Sequence, residues 1–219
     1  METLKTKSGW EIVEEEWPDF KGRVFKDRPK NIPQMLEETV GKYPDRVGFI
    51  DGDRRLTFRE FDGLVDRIAA GLASHGVKQG DHVAILLGIQ LEFPLSFFAL
   101  MKLGAVVVPL NTRFKGEELA YEINDSESKA LIVDEEYWPF IDPVRGQLKT
   151  VERIFFHGDQ TPPGTSPFSL LTEHEEGTFP RADLTEMDDA AIMYTSGTTG
   201  RPKGAILHHR GLTVTAMLV

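Results

Sequence analysis

The sequence predicts an α/β fold in which a mostly parallel sheet is flanked by helices on both faces. Between residues 83 and 156, short apolar segments alternate with longer amphipathic segments, a pattern typical of parallel strands joined by right-handed crossovers. The composition agrees, because 40% hydrophobic and 27% charged residues are ordinary for a globular protein. A length of 219 residues allows one large domain or two small ones.

The first third of the chain predicts a surface segment followed by a helix and a hairpin. Residues 1–30 are polar and charged, and we expect them to cover the surface without chemistry of their own. Apolar residues at helical spacing predict a helix over 31–43. Short apolar runs at 47–50 and 55–58, separated by a turn, predict a β-hairpin.

The next elements follow from a capping signal and from the alternation itself. Thr57 and Glu60 form a capping-box pattern that begins a helix, and Gly76 ends it. The alternation then predicts strand 83–87, helix 91–103, strand 105–110, helix 116–126, strand 130–133, helix 135–147 and strand 151–156. Residues 157–189 are acidic, contain several prolines and predict an irregular connection. Residues 210–219 resemble the opening of a helix.

Charge and composition exclude several classes of function. A net charge of −10 and a pI near 5.1 argue against a nucleic-acid partner. The absence of cysteine excludes disulfides, thiol nucleophiles and thiolate metal ligands. Residues 93–110 are apolar apart from Lys102, but two prolines and a glycine interrupt them, so a buried helix and strand are predicted instead of a membrane span. With no signal peptide either, the prediction is a cytoplasmic protein.

Residues 194–204 have the composition of a phosphate-binding loop. They read Tyr-Thr-Ser-Gly-Thr-Thr-Gly-Arg-Pro-Lys-Gly, with four serine or threonine hydroxyls and no acid. Glycines let backbone N–H groups approach a ligand closely, hydroxyls add donors, and Lys203 adds a positive charge. The apolar run 190–193 predicts a buried strand before the loop, and the run 205–207 predicts a strand or helix after it. These observations predict a polyphosphate site.

Two better-known phosphate motifs fail on spacing. In a Walker loop that begins at Gly197, the second glycine position is Pro202 and the residue after Lys203 is Gly204. The dinucleotide fingerprint fails because Thr199 stands two residues after Gly197, where a second glycine is needed. An unrelated nucleotide-binding kinase is therefore disfavoured.

The loop resembles, position by position, the signature of the adenylate-forming (AMP-binding) superfamily. That superfamily comprises acyl-CoA synthetases, luciferases and peptide-synthetase adenylation domains. Residues 56–61, 80–85 and 104–111 are similar to early segments of the acyl-CoA synthetase or fatty-acid–CoA ligase branch, so the resemblance covers about residues 31–219. It implies an incomplete N-terminal AMP-binding domain that ends shortly after the phosphate loop, with the C-terminal lid domain absent.

The resemblance implies an ATP-dependent carboxylate–CoA ligase. In that chemistry a carboxylate attacks the α-phosphorus of ATP, pyrophosphate leaves, and coenzyme A then takes the acyl group from the acyl-AMP. Mg²⁺ is expected through the ATP phosphates, with no residue assigned as a direct ligand. The residues implied to bind the ATP phosphates are Thr195, Ser196, Gly197, Thr198, Thr199, Gly200 and Lys203. His209 is a further candidate, because His209 and Arg210 resemble a His-Arg pair that follows the loop in the family.

The same resemblance implies that several binding and catalytic groups of the family are missing from these 219 residues. The family's adenine and ribose contacts, its acyl pocket and its C-terminal catalytic lysine all lie downstream of the loop. We therefore expect no complete catalytic set and no activity from this chain alone. The carboxylic acid stays open among aryl, medium-chain and long-chain acids, as does a homo-oligomer. The alternatives are an adenylation domain that loads a carrier protein and a non-catalytic nucleotide-binding scaffold.

Overall fold

The computed structural model describes residues 4–5, 10–17, 20–195 and 201–217. Its strands are β1 (Leu4–Lys5), β2 (Glu11–Trp17), β3 (Phe20–Phe25), β4 (Val47–Asp51), β5 (Arg54–Thr57), β6 (His82–Leu86), β7 (Val106–Pro109), β8 (Ala130–Asp134), β9 (Arg153–His157), β10 (Ser166–Pro167), β11 (Asp189–Thr195) and β12 (Lys203–His208). Its helices are α1 (Ile32–Lys42), α2 (Phe58–Ser74), α3 (Glu92–Leu103), α4 (Glu117–Asp125), α5 (Trp138–Ile141) and α6 (His209–Ala216). These elements confirm the predicted α/β class.

The central sheet contains seven strands in the order β10-β9-β8-β6-β7-β11-β12. Its strands run parallel up to β11, and β12 returns antiparallel to β11. The carboxyl end of β11 therefore lies at the same edge of the sheet as the carboxyl ends of β6 and β7. In open parallel sheets this edge is where ligands bind.

The sheet separates two apolar layers. Val83 and Ile85 of β6 belong to the layer formed with α1, α2 and α3, whereas Ala84 and Leu86 belong to the layer formed with α4 and α5. Successive side chains of a strand point to opposite faces, so a strand buried on both faces has a continuous apolar sequence. This is why β6 appears in the sequence as an unbroken hydrophobic run.

The apolar segment that imitates a membrane span forms α3 and β7 in the core, as predicted. Its single charge, Lys102, is 3% exposed, and its ammonium group donates to Asp62 at 2.6 Å and to Asp66 at 2.5 Å. Both carboxylates lie on α2, whose first turn carries the predicted capping box between Thr57 and Glu60. Within the described residues, no helix is long and apolar enough to cross a membrane.

One sequence expectation needs correction. The predicted helix over 135–147 is instead the four-residue α5 followed by a 3-10 helix, Asp142–Gln147. Pro139 and Pro143 each remove a backbone donor and Gly146 adds flexibility, so a continuous α-helix is not favoured. In the N-terminal segment, for which the sequence predicts no secondary structure, β1, β2 and β3 form an antiparallel sheet. The connection over 157–189 is largely irregular, with β10 and a 3-10 helix, Phe168–Thr172.

Candidate nucleotide-binding site

The glycine- and hydroxyl-rich segment connects the two strands of a β-hairpin, and the end of the hairpin where it connects them is called the hairpin mouth here. Strands β11 and β12 pair antiparallel, with Tyr194 opposite Gly204 and Thr195 opposite Lys203. This confirms the strand predicted before the loop and identifies the element after it as a strand. Thr195 and Lys203 are both exposed. The hydroxyl group of Thr195 and the ammonium group of Lys203 are therefore neighbours in solvent, at the last residue of β11 and the first residue of β12.

The structure places two of the predicted phosphate ligands, Thr195 and Lys203, side by side. The other five lie outside the described residues, and their role stays a prediction: Ser196, Gly197, Thr198, Thr199 and Gly200. Lys203 forms no ion pair within the described ranges 4–5, 10–17, 20–195 and 201–217. Its charge is therefore available to an anionic ligand at the mouth of the hairpin.

Tyr194 packs across the hairpin onto a glycine. A Cβ atom added to Gly204 would lie 2.8 Å from Ile192 Cγ2 and 3.2 Å from Tyr194 Cζ. Both distances are shorter than ordinary van der Waals contact, so a larger residue at position 204 would force the Ile192 and Tyr194 side chains to shift. Because Gly204 has no side chain, the Tyr194 ring packs against the backbone of β12. The sequence alone does not identify Tyr194 as the neighbour of this glycine.

Helix α4 contacts the chain on both sides of the loop. The hydroxyl of Tyr194 donates to Asp125 Oδ2 at 2.8 Å, and the hydroxyl of Tyr121 donates to the carbonyl oxygen of Pro202 at 3.2 Å. The guanidinium of Arg201 lies over the Tyr121 ring, 5.2 Å from its centroid, a distance within the range of cation–π attraction. Burial, reinforced by the Asp125 carboxylate, raises the pKa of Tyr194, so its hydroxyl stays protonated and donating.

A buried carboxyl group lies on the same helix. Glu122 is 0% exposed, and neither of its carboxylate oxygens has a hydrogen-bond partner in the described part of the chain. Burial, with a smaller contribution from Glu118, raises the pKa of Glu122 to about 7. Sequence reasoning missed Tyr121, Glu122 and Asp125, because helical periodicity assigns polar residues of an amphipathic helix to solvent.

His209 is buried at the start of α6, with 1% of its surface exposed. Its Nδ1 accepts a hydrogen bond from the backbone N–H of Ile32 at 3.3 Å, which requires the tautomer protonated at Nε2. Burial lowers the pKa of His209, His208 lowers it further, and Asp188 opposes both. The neutral ring thus packs at the beginning of α1, and the expected contact of His209 with the nucleotide stays a prediction.

A cavity of about 850 Å³ opens at the carboxyl edge of the sheet. It lies between the β4–β5 hairpin and the segments that follow β6 and β7. Apolar walls from Phe49, Leu87 and Phe93 meet a few polar groups, among them Gln90 and Asn111. Because β7 neighbours β11, the cavity and the hairpin mouth share one edge of the sheet. In the described ranges, no group of three or more His, Asp or Glu side chains could hold a metal ion.

Comparison with known protein families gives a direct match. The family described as "AMP-binding enzyme" matches residues 36–219. A crotonobetaine/carnitine–CoA ligase from Salmonella typhimurium (strain LT2) is 32% identical over 192 residues, which cover 84% of this chain and 37% of that protein. A plipastatin synthase from Bacillus subtilis (strain 168) is 31% identical over 187 residues, covering 85% of this chain and 6% of its own length.

Solved structures agree with the family match. The anthranilate CoA ligase AuaEII in complex with anthranoyl-AMP superposes with a TM-score of 0.81 at 31% identity, covering 86% of this chain and 36% of that one. The N-terminal domain of FACL13 from Mycobacterium tuberculosis superposes with a TM-score of 0.74 at 32% identity, covering 83% of this chain and 45% of that one. The chain therefore spans less than half the length of these relatives.

Proposed function

Because the chain belongs to the AMP-binding enzyme family, we propose that it provides the ATP-phosphate site of an ATP-dependent carboxylate–CoA ligase. One observation supports this assignment above the others. The β11–β12 hairpin places Thr195 and Lys203 opposite each other at the carboxyl edge of the sheet, on either side of a loop rich in glycine and hydroxyl groups. Donors and positive charge at such an edge suit a polyphosphate.

The proposed reaction has two steps, adenylation of the acid and transfer of its acyl group to coenzyme A. A carboxylate oxygen of the acid attacks the α-phosphorus of ATP, the bond to the β-phosphate oxygen breaks, and pyrophosphate leaves an acyl-AMP. The sulfur of coenzyme A then attacks the acyl carbon, AMP leaves, and the thiol proton passes to solvent. Negative charge develops on phosphate oxygens in the first step, so positioning and electrostatic stabilisation dominate catalysis.

Each loop residue has a defined role in this proposal. The hydroxyls of Thr195, Ser196, Thr198 and Thr199 donate to the β- and γ-phosphates, the backbone N–H groups of Gly197 and Gly200 add donors, and Lys203 neutralises charge on the leaving pyrophosphate. Mg²⁺, carried on the ATP phosphates, supplies further charge neutralisation. The absence of acids from residues 190–219 favours such an anion.

We further propose that residues 31–219 are the first part of a larger N-terminal domain, with a lid domain elsewhere in the full-length protein. The fraction of the relatives that the chain covers, 37% for the Salmonella ligase, supports this division. The adenine site and the acyl pocket then lie outside these residues, and the 219-residue chain alone is inactive. The predicted cytoplasmic location and the homo-oligomer stay predictions.

The test is ATP–pyrophosphate exchange by the full-length protein with a panel of acids. The panel contains crotonobetaine, carnitine, anthranilate and long-chain fatty acids, on which the similar proteins act by name, and medium-chain fatty acids, which the sequence leaves open. We expect exchange that depends on one class of acid, followed by AMP release when coenzyme A is added. Exchange without AMP release would favour a carrier protein as acceptor. ATP binding without exchange for any acid would favour the non-catalytic scaffold.

A further inference from the structure

One face of α4 contacts residues near both ends of the phosphate loop 194–204. Tyr121 and Asp125 lie one helical turn apart and so share a face of the helix. Asp125 accepts from Tyr194, at the end of β11, and Tyr121 donates to Pro202, at the beginning of the return strand. Both ends of the loop are thus in contact with one helical turn.

These contacts occur where the hairpin has little other attachment to the sheet. In the described residues, β11 pairs with β7 at one position, Ala191 with Val107, whereas it pairs with β12 as far as Thr195. Strand β12 is the edge strand of the sheet as described. The half of the hairpin nearest the loop therefore extends beyond its backbone pairing with β7. Side chains of α4 contact the hairpin in this half.

The negative charge of Asp125 does not stabilise α4. Asp125 is the last residue of α4, where a negative charge opposes the helix dipole. Tyr121 likewise directs its hydroxyl to the Pro202 carbonyl and its ring to Arg201. Both side chains contact the ends of the loop, and within the helix they also interact with each other.

We propose that α4 positions the phosphate loop by fixing both of its ends, with Tyr121 and Asp125 as positioning residues for the adenylation step. This rests on the function proposed above. Transition-state stabilisation by donors requires that they be held in place before the reaction, and small displacements of a positioned group are costly. Tyr194 and Asp125 act as one unit here, because each is needed for the same hydrogen bond.

The experiment uses Tyr194→Phe, Asp125→Ala and the double variant of the full-length protein, assayed by ATP–pyrophosphate exchange. We expect each single variant to lower kcat about tenfold, which corresponds to about 1.4 kcal/mol and the scale of one hydrogen bond to a charged group. The double variant falls no further than Asp125→Ala alone, because Asp125→Ala already removes the bond to Tyr194. KM for the acid stays unchanged. Asp125→Asn, whose amide oxygen still accepts from Tyr194, restores most of the activity.

Matched controls remove the same chemical groups far from the loop. Tyr43→Phe and Asp45→Ala change residues just after α1, and we expect wild-type kcat from both. Wild-type kcat in Tyr194→Phe and Asp125→Ala would overturn the inference. So would a double variant whose loss is the product of the single losses, because the two residues would then act independently.

A second readout separates this inference from the proposed function. Trypsin cleaves after lysine, and Lys203 lies at the hairpin mouth. Loosening the loop ends should accelerate cleavage after Lys203 in Tyr194→Phe and Asp125→Ala, relative to cleavage after Lys149 in the same protein. Accelerated cleavage in a protein without exchange activity would refute the proposed function and support the role of α4. Unchanged cleavage would overturn the role of α4 even if the wild type catalyses exchange.

Discussion

Arg28 Nη2 lies 2.6 Å from Glu186 Oε2, a residue 158 positions later in the chain. The same guanidinium donates to Glu15 on β2 at 2.8 Å, and its side chain has no exposed surface. The N-terminal sheet is thereby attached to the segment that leads into β11. This buried ion pair lies just before the amino end of β11, whereas the candidate site lies at the carboxyl end of the same strand.

We expect Arg28→Met to lower the free energy of unfolding by about 3 kcal/mol, because removing one partner leaves the carboxylates without their counter-charge. The loss stays below the largest known for buried pairs, since the Glu15 and Glu186 side chains are 30% and 21% exposed and water reaches them. Urea unfolding of both proteins measures the difference. Lys26→Met is the control: its pair with Glu11 is exposed, and its loss should cost less than about 1 kcal/mol. Equal effects of the two variants would contradict the structural role of Arg28.

Two helical glycines should respond to alanine with opposite signs. A Cβ on Gly71 of α2 would lie 2.5 Å from the Cα of Leu171, whereas a Cβ on Gly41 of α1 meets nothing within 4 Å. Gly71→Ala must separate α2 from the 3-10 helix Phe168–Thr172, and we expect a loss of about 1–3 kcal/mol. Gly41→Ala should stabilise the protein by up to about 1 kcal/mol, because alanine favours the helix. Thermal unfolding of the pair is the measurement, and the same sign in both would refute this account of the α2 packing.

The sequence was sufficient to predict elements that depend on residues close together in the chain. The alternation of apolar strands and helices predicted the parallel sheet, and Thr57 with Glu60 predicted the start of α2. The hydroxyl-rich composition of residues 194–204 likewise predicted a loop between two ordered segments, and the structure places Thr195 and Lys203 together at its ends.

The remaining features depend on residues far apart in the chain. The burial of Arg28 is not predictable from sequence, because nothing near it in the chain indicates that Glu186 will lie 2.6 Å away. Asp125 and Tyr121 similarly become part of the candidate site only when β11 adds to the sheet beside β7. The helix over 135–147 was predicted wrongly, because the alternation of strands and helices does not reflect the two prolines that interrupt this segment.

Glu122 should make stability fall as the pH rises from about 4.5 to about 7. Its carboxyl group has a pKa of about 7 in the folded protein against an ordinary value of 4.5, so the folded state binds more protons than the unfolded state in that range. A pKa difference of this size corresponds to a loss on the order of 3 kcal/mol, which is fully developed once the pH exceeds the folded-state pKa. We therefore expect Glu122→Gln to be more stable than the wild type at about pH 8 and equal to it near pH 4.

The measurement is urea unfolding of wild type and variant at several pH values, since the difference between them isolates Glu122 from other titrating groups. His209 titrates in a neighbouring range with the opposite sign: its lowered pKa costs stability as the pH falls below 6.5. Glu117→Gln, a change at an exposed position of the same helix, is the control and should show the wild-type pH dependence. A pH-independent difference between Glu122→Gln and wild type would contradict the buried, protonated carboxyl group.

Lys203→Ala in the full-length protein should lower kcat of ATP–pyrophosphate exchange about tenfold to hundredfold without changing the urea midpoint. Lys203 is exposed at the end of the hairpin, opposite Thr195, so its removal disturbs little packing, but it removes charge that would neutralise pyrophosphate in the transition state. Lys203→Arg retains that charge and should recover part of the rate. Lys21→Ala, a change of an exposed lysine on β3, should leave kcat unaltered. An unchanged rate in Lys203→Ala would remove this residue from the phosphate site and leave the hydroxyl and backbone donors to stabilise the leaving group.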